Sequence, residues 1–122
     1  MTASNITTFL MYDGDVPGVL EALRKCDGIL LISKPCIEIW FIAHHKTVPE
    51  SDISSISCIK QLLSLSGWEN YKKSFLTFKQ QEMLWNNRMI AVENMKKKNF
   101  SDKTYSTIHN LITALETEKN KL

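Results

Sequence analysis

Apolar residues fall in short unbroken runs early in the chain and at helical spacing later. Thr7 to Tyr12, TTFLMY, is short, β-branched and apolar, and it stops at Asp13-Gly14-Asp15. This predicts a buried strand. Val19, Leu20, Leu23 and Cys26 then recur at helical spacing behind Pro17, which predicts a helix over Val16 to Cys26. Asp27-Gly28 stops it, and Gly28 to Ser33, GILLIS, predicts a second buried strand. Strand, helix and strand within about thirty residues make a βαβ unit with parallel strands and a right-handed crossover. Ligands of such sheets gather at the carboxyl ends of the strands, here Asp13 and Asp15 on the first and Ser33 and Lys34 on the second.

Pro35 to His45, PCIEIWFIAHH, is apolar on nearly every side and predicts a buried helix, with Pro35 in its first turn and Ser33 or Lys34 as cap. Helical spacing returns in Asp52 to Leu65 and is broken by Ser66-Gly67. A long helix is predicted from Phe75 or Thr77 to Lys98, with Phe78, Met83, Leu84, Trp85, Met89, Val92 and Met95 as apolar positions. A last helix is predicted over Tyr105 to Lys119, after a break at Asn99 and Ser101-Asp102. The expectation is an α/β fold, a small parallel sheet flanked by four or five helices, with a helical C-terminal half. Two strands alone make a poor sheet. A third strand is therefore expected in the polar N-terminus or near Phe75, or else a second copy completes the core as a homodimer.

The 122 residues suit one domain, 1–122, with a βαβ-helix half over 1–50 and a helical half over 51–122. Net charge is +2, but it is divided. Residues 1–59 hold four Lys/Arg against seven Asp/Glu, and residues 60–122 hold eleven against six. An acidic front and a basic back suit a cation site beside an anion-binding surface, and equally a lysine-rich solvated one. No segment reaches the ~18 apolar residues that cross a bilayer. The polar start, with no basic residue before Phe9, is unlike a signal peptide, so no membrane association and a cytoplasmic location are expected. Cys26, Cys36 and Cys58 match neither a disulfide framework nor a zinc motif, and are expected to be buried reduced thiols.

Four groups of residues could carry chemistry. Asp13 and Asp15 can face one cavity if the chain turns at Gly14, and two close carboxylates suit Mg²⁺ or Mn²⁺. Asp-Gly-Asp is also ordinary turn chemistry, and both readings stand. Glu38, set among apolar residues, must be paired, bonded or neutral if buried. Desolvation would then raise its pKa towards that of a general acid or base. The alternative is a partly exposed Glu on the first helical turn, favoured by the positive helix end. His44 and His45 end the same run, as dipole partners or as chemical groups. Lys72 and Lys73, with Trp68 and Tyr71, combine phosphate-binding cations with rings that can stack on bases. Lys96-Lys97-Lys98 suits the negative end of a helix, with or without a phosphate.

Together, "MYDGDV", "ISKPCIEIWFIAHH", "YKKS" and "NNRMIAVENMKK" resemble the RloB family over roughly residues 8–99. That family shows an Asp-x-Asp strand end, a stretch Ser-Asn-Pro-Cys-Phe-Glu-x-Trp-Leu-Leu-Leu-His, a Tyr-x-Lys-Gly segment and an Asn- and Ala-rich helix. Ser33, Pro35, Cys36, Glu38, Trp40 and His44 stand at matching places, while Lys34, Ile37 and Ser74 depart from the pattern. The resemblance implies a Toprim-like fold that binds a divalent metal through Asp13 and Asp15, with Glu38 and His44 in the central motif as catalytic candidates. It also implies phosphodiester chemistry on nucleic acid, of phage-defence type beside a partner ATPase. A Toprim domain has an earlier strand ending in a catalytic Glu, and no acidic residue precedes the first strand here. A short or N-terminally truncated member is therefore expected. The alternative is a catalytically inactive module that docks on a partner ATPase or on its own copy.

Overall fold

A computed structural model describes residues 9–13, 22, 25, 28–48, 53–73, 75–98 and 104–121, with the side chains of the last helix described to residue 117. Strand β1, Phe9–Asp13, runs parallel to β2, Ile29–Lys34, in a register that pairs Phe9 with Ile29 and Asp13 with Ser33. The parallel pairing is as the apolar runs predict, but β1 is not the buried strand expected: Met11 and Tyr12 are about half exposed, and only Leu31, Ile32 and Ser33 at the centre of β2 are buried. The helix expected between the strands, and Asp15, lie outside the described residues. Gly28 enters β2 at φ +137°, in the region that favours glycine.

The third strand of the described sheet is not near Phe75, and the polar N-terminus, the other place expected for one, lies outside the described residues. That strand is β3, Tyr105–Ser106, antiparallel to β2, so β2 lies in the middle. Thr107 extends the attachment, because its N–H donates to the Ile32 carbonyl at 2.8 Å and its hydroxyl accepts from Ile32 N–H at 2.8 Å. Without this segment the inner edge of β2 would lack main-chain partners. One chain thus supplies all three strands, and completion by a second copy no longer follows from the strand count. Tyr105 and Ser106, predicted as helix, belong to this strand. Phe75 makes only an isolated bridge to Lys72.

Five helices surround the sheet among the described residues. Helix α1, Glu38–Ala43, buries all six of its side chains, as its unbroken apolar run predicts. Helix α2, Ser55–Leu63, begins on Ser54, whose hydroxyl accepts from Ser57 N–H at 3.1 Å. The chain then turns at Gly67, which adopts φ +92°; a Cβ there would sit 2.7 Å from Met83 Cε.

The long helix predicted to Lys98 is two helices, α3 over Phe78–Asn86 and α4 over Arg88–Lys96. They part at Asn87, at φ −103° and ψ 12°. Asn86 and Asn87 have side chains that compete with helical backbone bonds, and tertiary packing bends the chain there. Thr77 and Gln80 form a reciprocal capping box at the start of α3. Helix α5, His109–Lys121, ends the described chain.

The core gathers Leu31 of β2, Ile39, Phe41 and Ile42 of α1, Leu62 of α2, Trp68, and Ala91, Val92 and Met95 of α4. Asn94 of α4 is buried and donates to the Ala43 carbonyl at 2.7 Å, meeting a carbonyl at the end of α1 that lacks a helical partner. No helix among the described residues is long and apolar enough to cross a membrane.

Candidate functional site

The carboxyl ends of the parallel pair face the start of α1, and Asp13 is the last residue of β1. Its Oδ1 accepts from the N–H of Ile37, the residue before α1, at 3.2 Å. The amides at a helix start lack helical acceptors and attract anions. Asp13 therefore acts as a cap supplied from a neighbouring strand. The expected caps do not serve. Ser33 lies in β2 with its hydroxyl 2.8 Å from the Ser106 hydroxyl, and Lys34 pairs with Tyr105.

Glu38 opens α1 and is fully buried. Its Oε2 accepts from the Tyr71 phenol at 2.5 Å, and its Oε1 lies 3.4 Å from the Lys73 ammonium. Burial pushes its pKa up. Hydrogen bonds from Tyr71, from the Cys36 thiol and from the backbone, together with the charge of Lys73, outweigh burial and hold the carboxyl below its ordinary value. Sequence reasoning expected the opposite direction, because the groups that stabilise the anion lie far along the chain. Glu38 is thus an anion at neutral pH with both oxygens engaged. Its geometry is that of a positioning group.

The partners respond in kind. Burial and then Glu38 raise the Tyr71 pKa, so the phenol stays protonated and keeps donating. Burial alone would lower the Lys73 pKa, but the charge of Glu38 and, more weakly, that of Asp13 raise it. The Lys73 side chain remains 58% exposed. One ammonium, open to solvent, thus sits within electrostatic reach of both acids.

The aromatic residues lie behind this group. Trp68 is fully buried, stacked on Phe41 with ring centroids 5.4 Å apart, and 5.8 Å from the ring of Tyr71. Its indole N–H donates to His45 Nε2 at 2.8 Å. The expectation that Trp68 stacks on a base does not survive, because no face of its ring reaches solvent. Tyr71 is half-buried, with its hydroxyl committed to Glu38. Lys72 is exposed in the turn, where its carbonyl accepts from Phe75 N–H.

His44 is buried in the core, with Nδ1 2.8 Å from the Trp40 carbonyl and its ring edge-on to the Trp40 indole at 4.9 Å. Burial brings its pKa down to about 4, so it is neutral at pH 7. Burial lowers the His45 pKa as well. His44 bonds the Trp40 carbonyl and His45 accepts from the Trp68 indole, so both act in packing and internal hydrogen bonding.

The structure thus assembles Asp13, Glu38, Tyr71 and Lys73, and leaves Trp68 and His44 in the core. Cys36, expected only as a buried thiol, also bonds Glu38. Its signal in the sequence was the Cys-x-Glu spacing at a helix start. No group of three His, Cys, Asp or Glu side chains placed to hold a metal occurs among the described residues, which do not include Asp15. Compared with known proteins, the chain matches no family model, no curated sequence and no solved structure.

Proposed function

We propose that the chain is a Toprim-like, RloB-like domain of phage-defence type that holds Mg²⁺ or Mn²⁺ against nucleic-acid phosphate at the carboxyl end of β1 and β2. The observation that supports this reading is the place of the Asp13 carboxylate, at the carboxyl end of the parallel pair and against the Ile37 N–H before α1, with the solvent-open Lys73 held nearby by Glu38. A carboxylate offers about four lone-pair positions. Ile37 uses one on Asp13, which leaves oxygen chemistry that fits a hard divalent cation. In this reading Asp13 and Asp15 hold the cation, which when bound would stabilise charge on a phosphoryl oxygen and acidify a water.

The remaining work falls to this chain's own residues. Lys73 presents an ammonium to phosphate, and Lys72 adds charge from the same turn. Glu38 keeps Lys73 in place and protonated, and Tyr71 keeps Glu38 ionised. Single- and double-stranded DNA and RNA incubated with the protein and Mg²⁺ or Mn²⁺ test the reading. Cleavage is expected with the wild type and lost in Asp13→Ala; equal cleavage by the variant overturns it.

A second reading is the catalytically inactive module that docks on a partner ATPase. It is favoured by apolar side chains that remain largely exposed on α3 and α4: Phe78, Trp85, Met89 and Ile90. Cleavage that depends on Asp13 excludes it.

A further inference from the structure

The lysines that end α4 take no part in the site above. Behind them a cleft of about 240 Å³ opens where α4 ends against β3 and the first turn of α5. Lys96 lines it from the last turn of α4 and Lys98 from just beyond that helix, Tyr105 from β3, and His109 and Asn110 from α5. No Asp or Glu lines it among the described residues. Glu93 lies 3.9 Å from the Lys96 ammonium, but both side chains are more than half exposed, so the pair is weak and Lys96 can turn to another anion.

The chemistry and size of the cleft point the same way. Pockets for drug-sized ligands span roughly 300–1,000 Å³. This smaller one suits a compact group. Its polar lining is cationic, and the positive end of the α5 dipole adds to the potential. Its floor is fixed, because the Thr107 hydroxyl is committed to Ile32 N–H and the Leu30 carbonyl, tying β3 to β2. His109 Nδ1 lies 3.2 Å from the Ser106 carbonyl, which can only accept. Nδ1 therefore carries a hydrogen, and Nε2 is the nitrogen that gains or loses a proton. Burial, and then the nearby charge of Lys96, lower the imidazole's pKa, with the Ser106 bond opposing them. A bound dianion would offset the charge of Lys96 and recruit His109 as a further donor.

We infer that this cleft binds a phosphate group between Lys96 and His109, carried on the end of a nucleic-acid strand. The pocket stands apart from the metal reading; only the identity of the carrier rests on it.

The test follows the His109 ring by ¹H–¹⁵N NMR in the full chain, with EDTA present so that a failed metal site cannot mimic a failed pocket. The titrants are inorganic phosphate and short oligonucleotides ending in either phosphate or hydroxyl. The ring signals are expected to move with inorganic phosphate, and the phosphorylated end to bind about tenfold tighter than the hydroxyl end. Lys96→Gln should weaken both by about tenfold, with the circular dichroism spectrum unchanged. Ring shifts with inorganic phosphate but no preference for the phosphorylated end support the pocket and assign it to a free phosphate compound. No shift with any titrant, or unchanged affinity in Lys96→Gln, overturns the inference.

Discussion

The Tyr71 phenol donates to Glu38 Oε2 at 2.5 Å, and this bond keeps a fully buried carboxylate ionised against its own desolvation. Losing one donor to a buried charge costs about 1–3 kcal/mol. Tyr71→Phe is therefore expected to lower stability by that amount in urea unfolding at pH 7. The sign of the pH dependence follows from linkage. Because the folded pKa of Glu38 is depressed, its contribution is present above its unfolded value and is lost as pH falls through the folded one. Tyr71→Phe shrinks that depression, so its acid unfolding should begin at higher pH than in the wild type. An unchanged acid midpoint would show that the bond does not hold the anion.

His44 gives a second pH signature in a different window. Its folded pKa of about 4 lies below the ordinary 6.5. The unfolded chain therefore takes up the proton first, and stability falls as pH drops from 6.5 towards 4. The difference corresponds to roughly 3 kcal/mol. Unfolding free energies across that range should show this loss in the wild type, and a flatter profile in His44→Gln.

Asn94→Ala should destabilise by about 1–3 kcal/mol, because it removes the donor to the Ala43 carbonyl and leaves a buried acceptor unmet. Chemical denaturation measures this directly. A neutral result would mean that water replaces the amide.

Trp68 and Lys73 separate structure from binding. Trp68→Ala should cost about 3–5 kcal/mol as a core truncation. Lys73→Gln should leave the fold in place, weaken nucleic-acid binding across sequences and reduce the salt slope by about one. Urea unfolding measures the first, and fluorescence anisotropy over a salt series the second. An unchanged slope in Lys73→Gln would remove this lysine from the interface.

Much of the fold is legible in the sequence wherever a pattern is long or unbroken. The runs ending at Tyr12 and Ser33 are parallel strands, and the Pro35 to His45 run contains a fully buried helix. The third strand was hidden because two residues, Tyr105 and Ser106, are too few to show a period; their pairing is decided by the edge of β2. The break at Asn87 was hidden because apolar spacing continues through it, from Leu84 to Val92. At the site, the burial of Glu38 was readable from its neighbours, but its charge state was not. That state depends on Tyr71 and Lys73, which pattern reading had assigned to nucleic acid. Trp68 misled for a similar reason, since an aromatic beside lysines suits a stacking surface or a core equally, and only packing on Phe41 decides.

The central claim is that the carboxyl end of the parallel pair holds a divalent cation through Asp13. Calorimetric titration of the chain with Mg²⁺ measures it most directly. One saturable binding event in the wild type, absent from an Asp13→Ala variant that remains folded, is the predicted result. No binding at millimolar Mg²⁺, or the same isotherm in both proteins, would contradict the account.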